Sequence, residues 1–276
     1  MRQRRSLPLA TGARIASGPR ARDGFPRCLD RAPQLGPHGS FMSTAQNLDL
    51  AAVIFDMDGV VIDSQAAANY ALVEAAAKHG VRLNVGELED LVGASEQQFW
   101  QYVKSRYGLP EPIEHYRASY DEDLEIARYD ETLVSAALAP LLAELRAAGL
   151  HTALATSGSR KRMTAVLELY DLTRAFDVAL CRDDTPREKP APELFLAVAS
   201  ALGVSPSTCL VLEDSVPGIT AARAAGMPVL GFVAYCPPNS MRPGANAYLT
   251  SFEGVDLAQL RAFWSAARAA VTLIQS

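Results

Sequence analysis

The sequence predicts an α/β protein, a parallel sheet covered by helices on both faces and interrupted by an all-helical insertion. Three observations predict it. From Leu50 onward, short apolar runs alternate with amphipathic helical stretches, the pattern of strands and helices wound into a parallel sheet. The first run, Ala52-Val53-Ile54-Phe55, is apolar throughout, as a strand buried on both faces requires. One interval, from Asp63 to about Val134, holds helical patterns and no strand signal.

Taken in order, the strands are expected at Ala52–Phe55, Leu150–Ala155, Phe176–Leu180, Cys209–Leu212 and Val229–Val233. Gly149 closes the helix around Leu141–Ala148 and opens the second strand. Helices are expected at about Lys161–Leu169, Pro192–Leu202 and Pro217–Ala225. Pro192 stands near a helix start, where its missing N–H costs nothing. Gly203 and Gly226 stand where a C-terminal cap is wanted. Within the insertion, helical patterns cover about Ala66–His79, Gly86–Leu91, Glu96–Tyr107 and Ile113–Tyr129, divided by breakers at Gly80, Gly93 and Gly108-Leu109-Pro110.

The chain has 276 residues, 49% of them hydrophobic, and a formal net charge of −5. That is globular composition, and it favours neither nucleic acid nor an anionic membrane as a partner. No apolar run reaches the roughly 20 residues of a membrane span. Residues 1–41 are different: eight arginines face only Asp23 and Asp30, Pro and Gly abound, and no apolar period is present. A disordered extension over residues 1–48 is expected, with Met42 as an alternative start. Cys28, Cys181, Cys209 and Cys236 show no ligand spacing, so they read as buried thiols of a cytoplasmic protein.

In open parallel sheets, ligands bind beyond the carboxyl ends of the strands. Asp56-Met57-Asp58-Gly59 follows the first strand and Thr156-Ser157-Gly158-Ser159 the second. A polar loop ending in Lys189-Pro190 follows the third, and Glu213-Asp214-Ser215 the fourth. Each alone has an ordinary reading as solvated loop or helix cap; their order, one per strand end, carries the argument. Carboxylates suit a hard cation such as Mg2+, held here by Asp56 and Asp214. With the charge offset, Asp56 can attack phosphorus. Asp58, two residues on along an extended segment, points the same way. Crowded by other carboxylates, it is expected to serve as general acid and then base. Thr156 and the N–H groups of Ser157 and Gly158 are expected to hold phosphoryl oxygens, and Lys189 to supply fixed positive charge.

These segments resemble the four motifs of the haloacid dehalogenase superfamily. Phe55-Asp56-Met57-Asp58-Gly59-Val60-Val61-Ile62-Asp63-Ser64 resembles the first, Ala155-Thr156-Ser157-Gly158-Ser159 the second, Lys189-Pro190-Ala191-Pro192-Glu193-Leu194-Phe195 the third, and Leu212-Glu213-Asp214-Ser215-Val216-Pro217-Gly218-Ile219 the fourth. The likeness spans roughly residues 50–250, and is nearest to the branch that holds beta-phosphoglucomutase, phosphoglycolate phosphatase and sugar-phosphate phosphatases. It implies a Rossmann-like core (residues 49–63 and 134–276), an inserted helical cap (64–133) and magnesium. It implies Asp56 as nucleophile, Asp58 as acid/base with its backbone carbonyl on the metal, Asp214 as metal ligand and Glu213 as a further carboxylate of the metal site.

The resemblance also separates activities. Dehalogenases lack the second aspartate, whereas Asp58 is present. The mutase has a histidine where this chain has Ala68, and a cap arginine where it has Glu96. A carboxylate there repels a second phosphate. The expectation is therefore a magnesium-dependent phosphatase acting on a small phosphorylated metabolite, a sugar or polyol phosphate, as a monomer or homodimer. A phosphosugar mutase is the alternative, and a non-catalytic binding module a further one. His79, His115 and His151 lack ligand spacing, so surface or core roles are expected of them rather than metal binding. Phe99, Trp100, Tyr102 and Tyr107 fall at helical spacing, so core packing is expected, with one of them a candidate to line the substrate cavity.

Overall fold

The computed structural model describes residues 49–275 other than 85, 88–90, 92–95 and 236–242. The Arg-rich extension, Met42, Cys28, Cys236 and the Gly93 breaker lie outside the described residues, as does half of the pattern expected at Gly86–Leu91.

Six parallel strands form one sheet: β1 (Ala52–Phe55), β2 (His151–Thr156), β3 (Val178–Cys181), β4 (Cys209–Glu213), β5 (Val229–Phe232) and β6 (Ala247–Leu249), in the order β3-β2-β1-β4-β5-β6. The α/β class and Rossmann-like topology follow directly from this order. β6 had no counterpart in the sequence reading: three half-buried residues are too short for a period to show.

Side-chain alternation along β1 builds the two core layers. Val53 and Phe55 face one layer with Leu154, Leu212 and Phe232; Ala52 and Ile54 face the other with Ala153 and Val211. Helices α5 (Leu138–Ala147), α6 (Arg160–Leu169) and α9 (Leu257–Gln275) cover the first layer through Leu142, Val166 and Trp264. Helices α7 (Glu193–Leu202) and α8 (Val216–Ala224) cover the second through Val198 and Ile219. Helix α9 is an element the sequence reading omitted, although its amphipathic stripe, with buried Leu260 and Trp264, was visible.

Between β1 and β2 stand α1 (Gln65–Ala77), α2 (Glu96–Tyr107), α3 (Ile113–Arg117) and α4 (Glu122–Ile126). The single helix expected over Ile113–Tyr129 is in fact two. Asp121, in extended conformation, accepts a hydrogen bond from the Asp123 amide and starts α4 afresh. The insertion has its own apolar cluster around Trp100, Phe99, Val103, Leu72 and Tyr116. This accounts for Phe99, Trp100 and Tyr102: Trp100 stacks on Tyr116, and His79 meets the Tyr116 ring edge-on, whereas Tyr107 is exposed and its hydroxyl donates to Glu87.

Candidate active site

Strand register brings the polar loops together. Phe55 lies opposite Leu154 of β2 and Leu212 of β4. One step on, Asp56 therefore emerges between Ala155 and Glu213, and its amide is tied to the Leu212 carbonyl at 2.9 Å. Lys189 crosses beneath it: its Nζ donates to Asp56 Oδ1 at 2.5 Å, to Glu213 Oε1 at 2.9 Å and to the Ala155 carbonyl at 3.0 Å. The lysine side chain is only 3% exposed. Among the described residues, Asp56, Glu213 and Asp214 each offer a carboxylate oxygen within 4.8 Å of the others.

Three carboxylates on one ammonium leave this end of the site over-supplied with negative charge. Burial pushes the Asp56 carboxyl up to about 7; Lys189 opposes that and Glu213 adds to it. Burial likewise drives Asp214 well above the usual carboxylate range, with Glu213 and Asp56 reinforcing the effect. Burial disfavours charge on Lys189 too, but Asp56 and Glu213 outweigh it and hold the lysine firmly protonated. An all-oxygen donor set with surplus negative charge fits a hard divalent cation.

Two glycines permit this crowding. Gly59 has φ +78°, and a Cβ there would stand 2.3 Å from Asp214 Oδ2. A Cβ on Gly218 would overlap the Glu213 carboxylate. Glu213 is engaged on both oxygens, Oε1 by Lys189 and Oε2 by the Ser215 amide and hydroxyl at 2.6 and 2.9 Å. It fastens the lysine to the turn into α8.

Asp58 shares the cavity with Asp56, but for a different reason than extended alternation. The chain turns after β1, the Met57 carbonyl accepting from Val61 and Ile62. Asp58 does stand among carboxylates, its charge acting on Asp56, Asp214 and Glu125, but not among carboxylates alone. Its Oδ1 meets donors, the Ser64 hydroxyl at 2.6 Å and Arg162 Nη2 at 2.5 Å. The Gly158 amide is corrected as well: it is spent on Thr156 Oγ1 at 2.8 Å and is not available to a phosphoryl oxygen. Thr156 is fully buried, and a hydroxyl that accepts still has its own hydrogen to donate. Ser157 lines the cavity.

The cavity, about 980 Å³, runs from Asp56, Asp58 and Asp214 to the insertion residues Glu96, Glu114 and Arg117. Glu96 does not stand alone there as expected: Arg117 meets both its oxygens, at 3.0 and 3.1 Å. Sequence reasoning missed Arg117, Arg162 and Glu125. One signal was present, since Arg160, Lys161 and Arg162 crowd the first turn of α6, where the helix dipole disfavours cations. Each has a carboxylate partner: Asp184 for Arg160, Asp123 for Lys161, and Asp58 with Glu125 for Arg162.

Comparisons with known proteins give the family. The chain is 34% identical over 200 residues to hexitol phosphatase B of Escherichia coli, covering 67% of this chain and 84% of that one. It is 32% identical over 190 residues to the chloroplastic protein Suppressor of Quenching 1 of Arabidopsis thaliana, covering 64% of this chain but only 17% of that larger protein. The crystal structure of CbbY from Rhodobacter sphaeroides in complex with phosphate superposes with a TM-score of 0.61 at 25% identity, over 76% of this chain and 99% of that one. No helix among the described residues is long and apolar enough to cross a membrane. A family-wide sequence profile matches residues 50–226, a span that takes in Asp56, Thr156 and Glu213 at or just past their strand ends and Lys189 in the loop after β3, and the chain belongs to the haloacid dehalogenase-like hydrolases.

Proposed function

We propose that this protein is a magnesium-dependent phosphatase for a small sugar or polyol phosphate, working through a phosphorylated Asp56. The observation that carries the reading is the set of buried Asp56 and Glu213, both bonded to Lys189, with half-buried Asp214 beside them, lining a cavity large enough for a phosphorylated sugar. Asp56, Asp214 and the Asp58 backbone carbonyl would hold the cation, with Glu213 behind them. When bound, magnesium offsets the repulsion between carboxylate and phosphate.

In this reading Asp56 forms a bond to phosphorus as the bond to the leaving oxygen breaks. Asp58 passes that oxygen a proton and is left as a carboxylate. Water then attacks phosphorus, giving a proton back to Asp58 and releasing phosphate from Asp56. Lys189 keeps Asp56 oriented, while the Thr156 hydroxyl and the Ser157 backbone receive phosphoryl oxygens. The substrate class is supported by the relative whose name is hexitol phosphatase B. Polar side chains at the far end of the cavity suit hydroxyl groups. A monomer or homodimer acting in the cytoplasm, with no nucleic-acid or membrane partner, completes the proposal.

Arg117 favours one second reading. A guanidinium lining the cavity is a group that grips a distal phosphate, as a phosphosugar mutase requires. Its charge is already matched by Glu96, so hydrolysis is preferred. The test is a panel of sugar and polyol phosphates with magnesium or with a chelator, followed by acid quench and peptide mapping. Phosphate release that needs magnesium, and a label on Asp56 lost in Asp56→Asn, are expected. An isomerised sugar phosphate in place of free phosphate would support the mutase, and turnover by Asp56→Asn would sink the mechanism.

A further inference from the structure

Arg162 is costly in two ways. It lies in the first turn of α6, against the helix dipole. It is also largely removed from water, 14% exposed, where a cation loses much of its hydration. Well-packed apolar residues stabilise a fold better than a buried ion pair does. Two local rules broken at one residue, beside a carboxylate facing the cavity, mark function rather than stability.

One guanidinium nitrogen serves two carboxylates from different parts of the chain. Nη2 lies 2.5 Å from Asp58 Oδ1, in the loop after β1, and 2.6 Å from Glu125 Oε1, on α4 of the insertion. Glu125 has no exposed surface and is held by two tyrosines as well as by Arg162, whose Nε and Nη2 also reach the Tyr129 hydroxyl at 3.4 Å. The Tyr129 hydroxyl donates to its Oε1 at 2.7 Å and the Tyr120 hydroxyl to its Oε2 at 2.5 Å. Ser159 Oγ, which caps α6, also donates to Glu122 Oε2 at 2.7 Å, so the same turn is tied again to the same insertion helix. Asp58 Oδ1 takes both the Ser64 hydroxyl and the guanidinium, which restricts the rotation of its carboxylate.

We infer that Arg162 is a positioning residue for Asp58, and that Glu125 anchors it, so that the placement of the acid/base carboxylate depends on the insertion being seated. The inference rests on Asp58 being the acid/base of the proposed reaction. After Asp58 gives its proton to the leaving oxygen, the guanidinium is the counter-ion for the carboxylate that remains. Glu125 shares that guanidinium and keeps it from binding Asp58 alone.

The test is leaving-group dependence in the full-length chain with magnesium. An alkyl phosphate from the panel needs a proton on its departing oxygen; p-nitrophenyl phosphate does not. Because general acid catalysis contributes roughly 10²–10⁴-fold, Arg162→Gln should lower kcat/KM on the alkyl ester by about 30-fold and on the aryl ester by less than about 3-fold. Arg162→Lys should restore part of the alkyl-ester loss. Glu125→Gln, which keeps a polar partner for both tyrosines, should reproduce the pattern at about 5-fold; it carries the test if Arg162→Gln does not fold. Equal losses on both esters, or none on the alkyl ester, would overturn the inference. Asp58→Ala separates the premise: a steep preference for the aryl ester upholds Asp58 as the acid, and a flat response removes that reading and this one with it.

Discussion

The two ends of the cavity are both lined by carboxylates, yet they are built in opposite ways. At the core end, Asp56, Glu213 and Asp214 stand at the ends of adjacent strands, and Lys189 pairs with both Asp56 and Glu213. At the insertion end, Glu96 and Arg117 are partly exposed and matched one to one, their side chains 34% and 44% accessible. Buried, unbalanced charge is high in free energy and answers to a cation or a phosphoryl group. Exposed, balanced pairs are worth at most about 1 kcal/mol and can exchange partners with a ligand. Under the proposed function, reaction belongs to the first end and recognition to the second.

The strongest way to break this contrast is at Lys189. Lys189→Met leaves Asp56 and Glu213 buried beside each other without their cation. It should lower kcat/KM by about 10³-fold, with a stability loss of roughly 3–5 kcal/mol. Kinetics and thermal melting check both, and a loss below tenfold would mean that the core end works no differently from the insertion end.

The insertion is held by packing rather than by strand register. Trp100 is fully buried at its centre, and Trp100→Ala should cost about 3–5 kcal/mol. Limited proteolysis should then cut first within residues 64–133. Cleavage starting instead around β1 or β4 would show that the two regions do not unfold separately.

Acidity sharpens the comparison. Between the unfolded value near 4 and about 7, Asp56 keeps a proton in the folded chain that it loses when unfolded. The metal-free protein should therefore lose stability as pH rises through that window, and Asp214 acts in the same direction. Magnesium should raise Tm more at pH 8 than at pH 5.5, by on the order of 5 °C, as scanning fluorimetry would read. An equal gain at both pH values would count against a charge-driven site.

The smallest effect is expected at the insertion end. Glu96→Gln frees Arg117 and should change KM for sugar phosphates about 2–5-fold while Tm stays within roughly 1 °C. A large fall in kcat there would erase the division between the two ends.

Much of the core end was legible because its determinants are local. An apolar run ending in Asp56-Met57-Asp58-Gly59 is a strand followed by a turn whatever surrounds it, and Gly203 and Gly226 adopt the positive φ that their place after a helix demands. Errors arose where a local rule was extended too far. The Gly158 amide read as free because its nearest acceptor, Thr156, had been assigned to phosphate instead. The cation that meets Asp58 amid its carboxylate neighbours went unread because Arg162 is distant in sequence. Helices α3 and α4 read as one because the extended Asp121 between them is not a breaker by type.

By itself the sequence determined the alternation of strand and helix, the polar residues at the end of each central strand, and hence the chemistry available there. The tertiary structure decided which charges meet: Arg162 with both Asp58 and Glu125, Arg117 with Glu96, Lys189 with Asp56 and Glu213. The physical reason is range. Strand period and helix caps act between neighbours in the chain, whereas an ion pair between segments forms only after helices without a fixed register have docked, and that docking is set by how whole apolar surfaces pack.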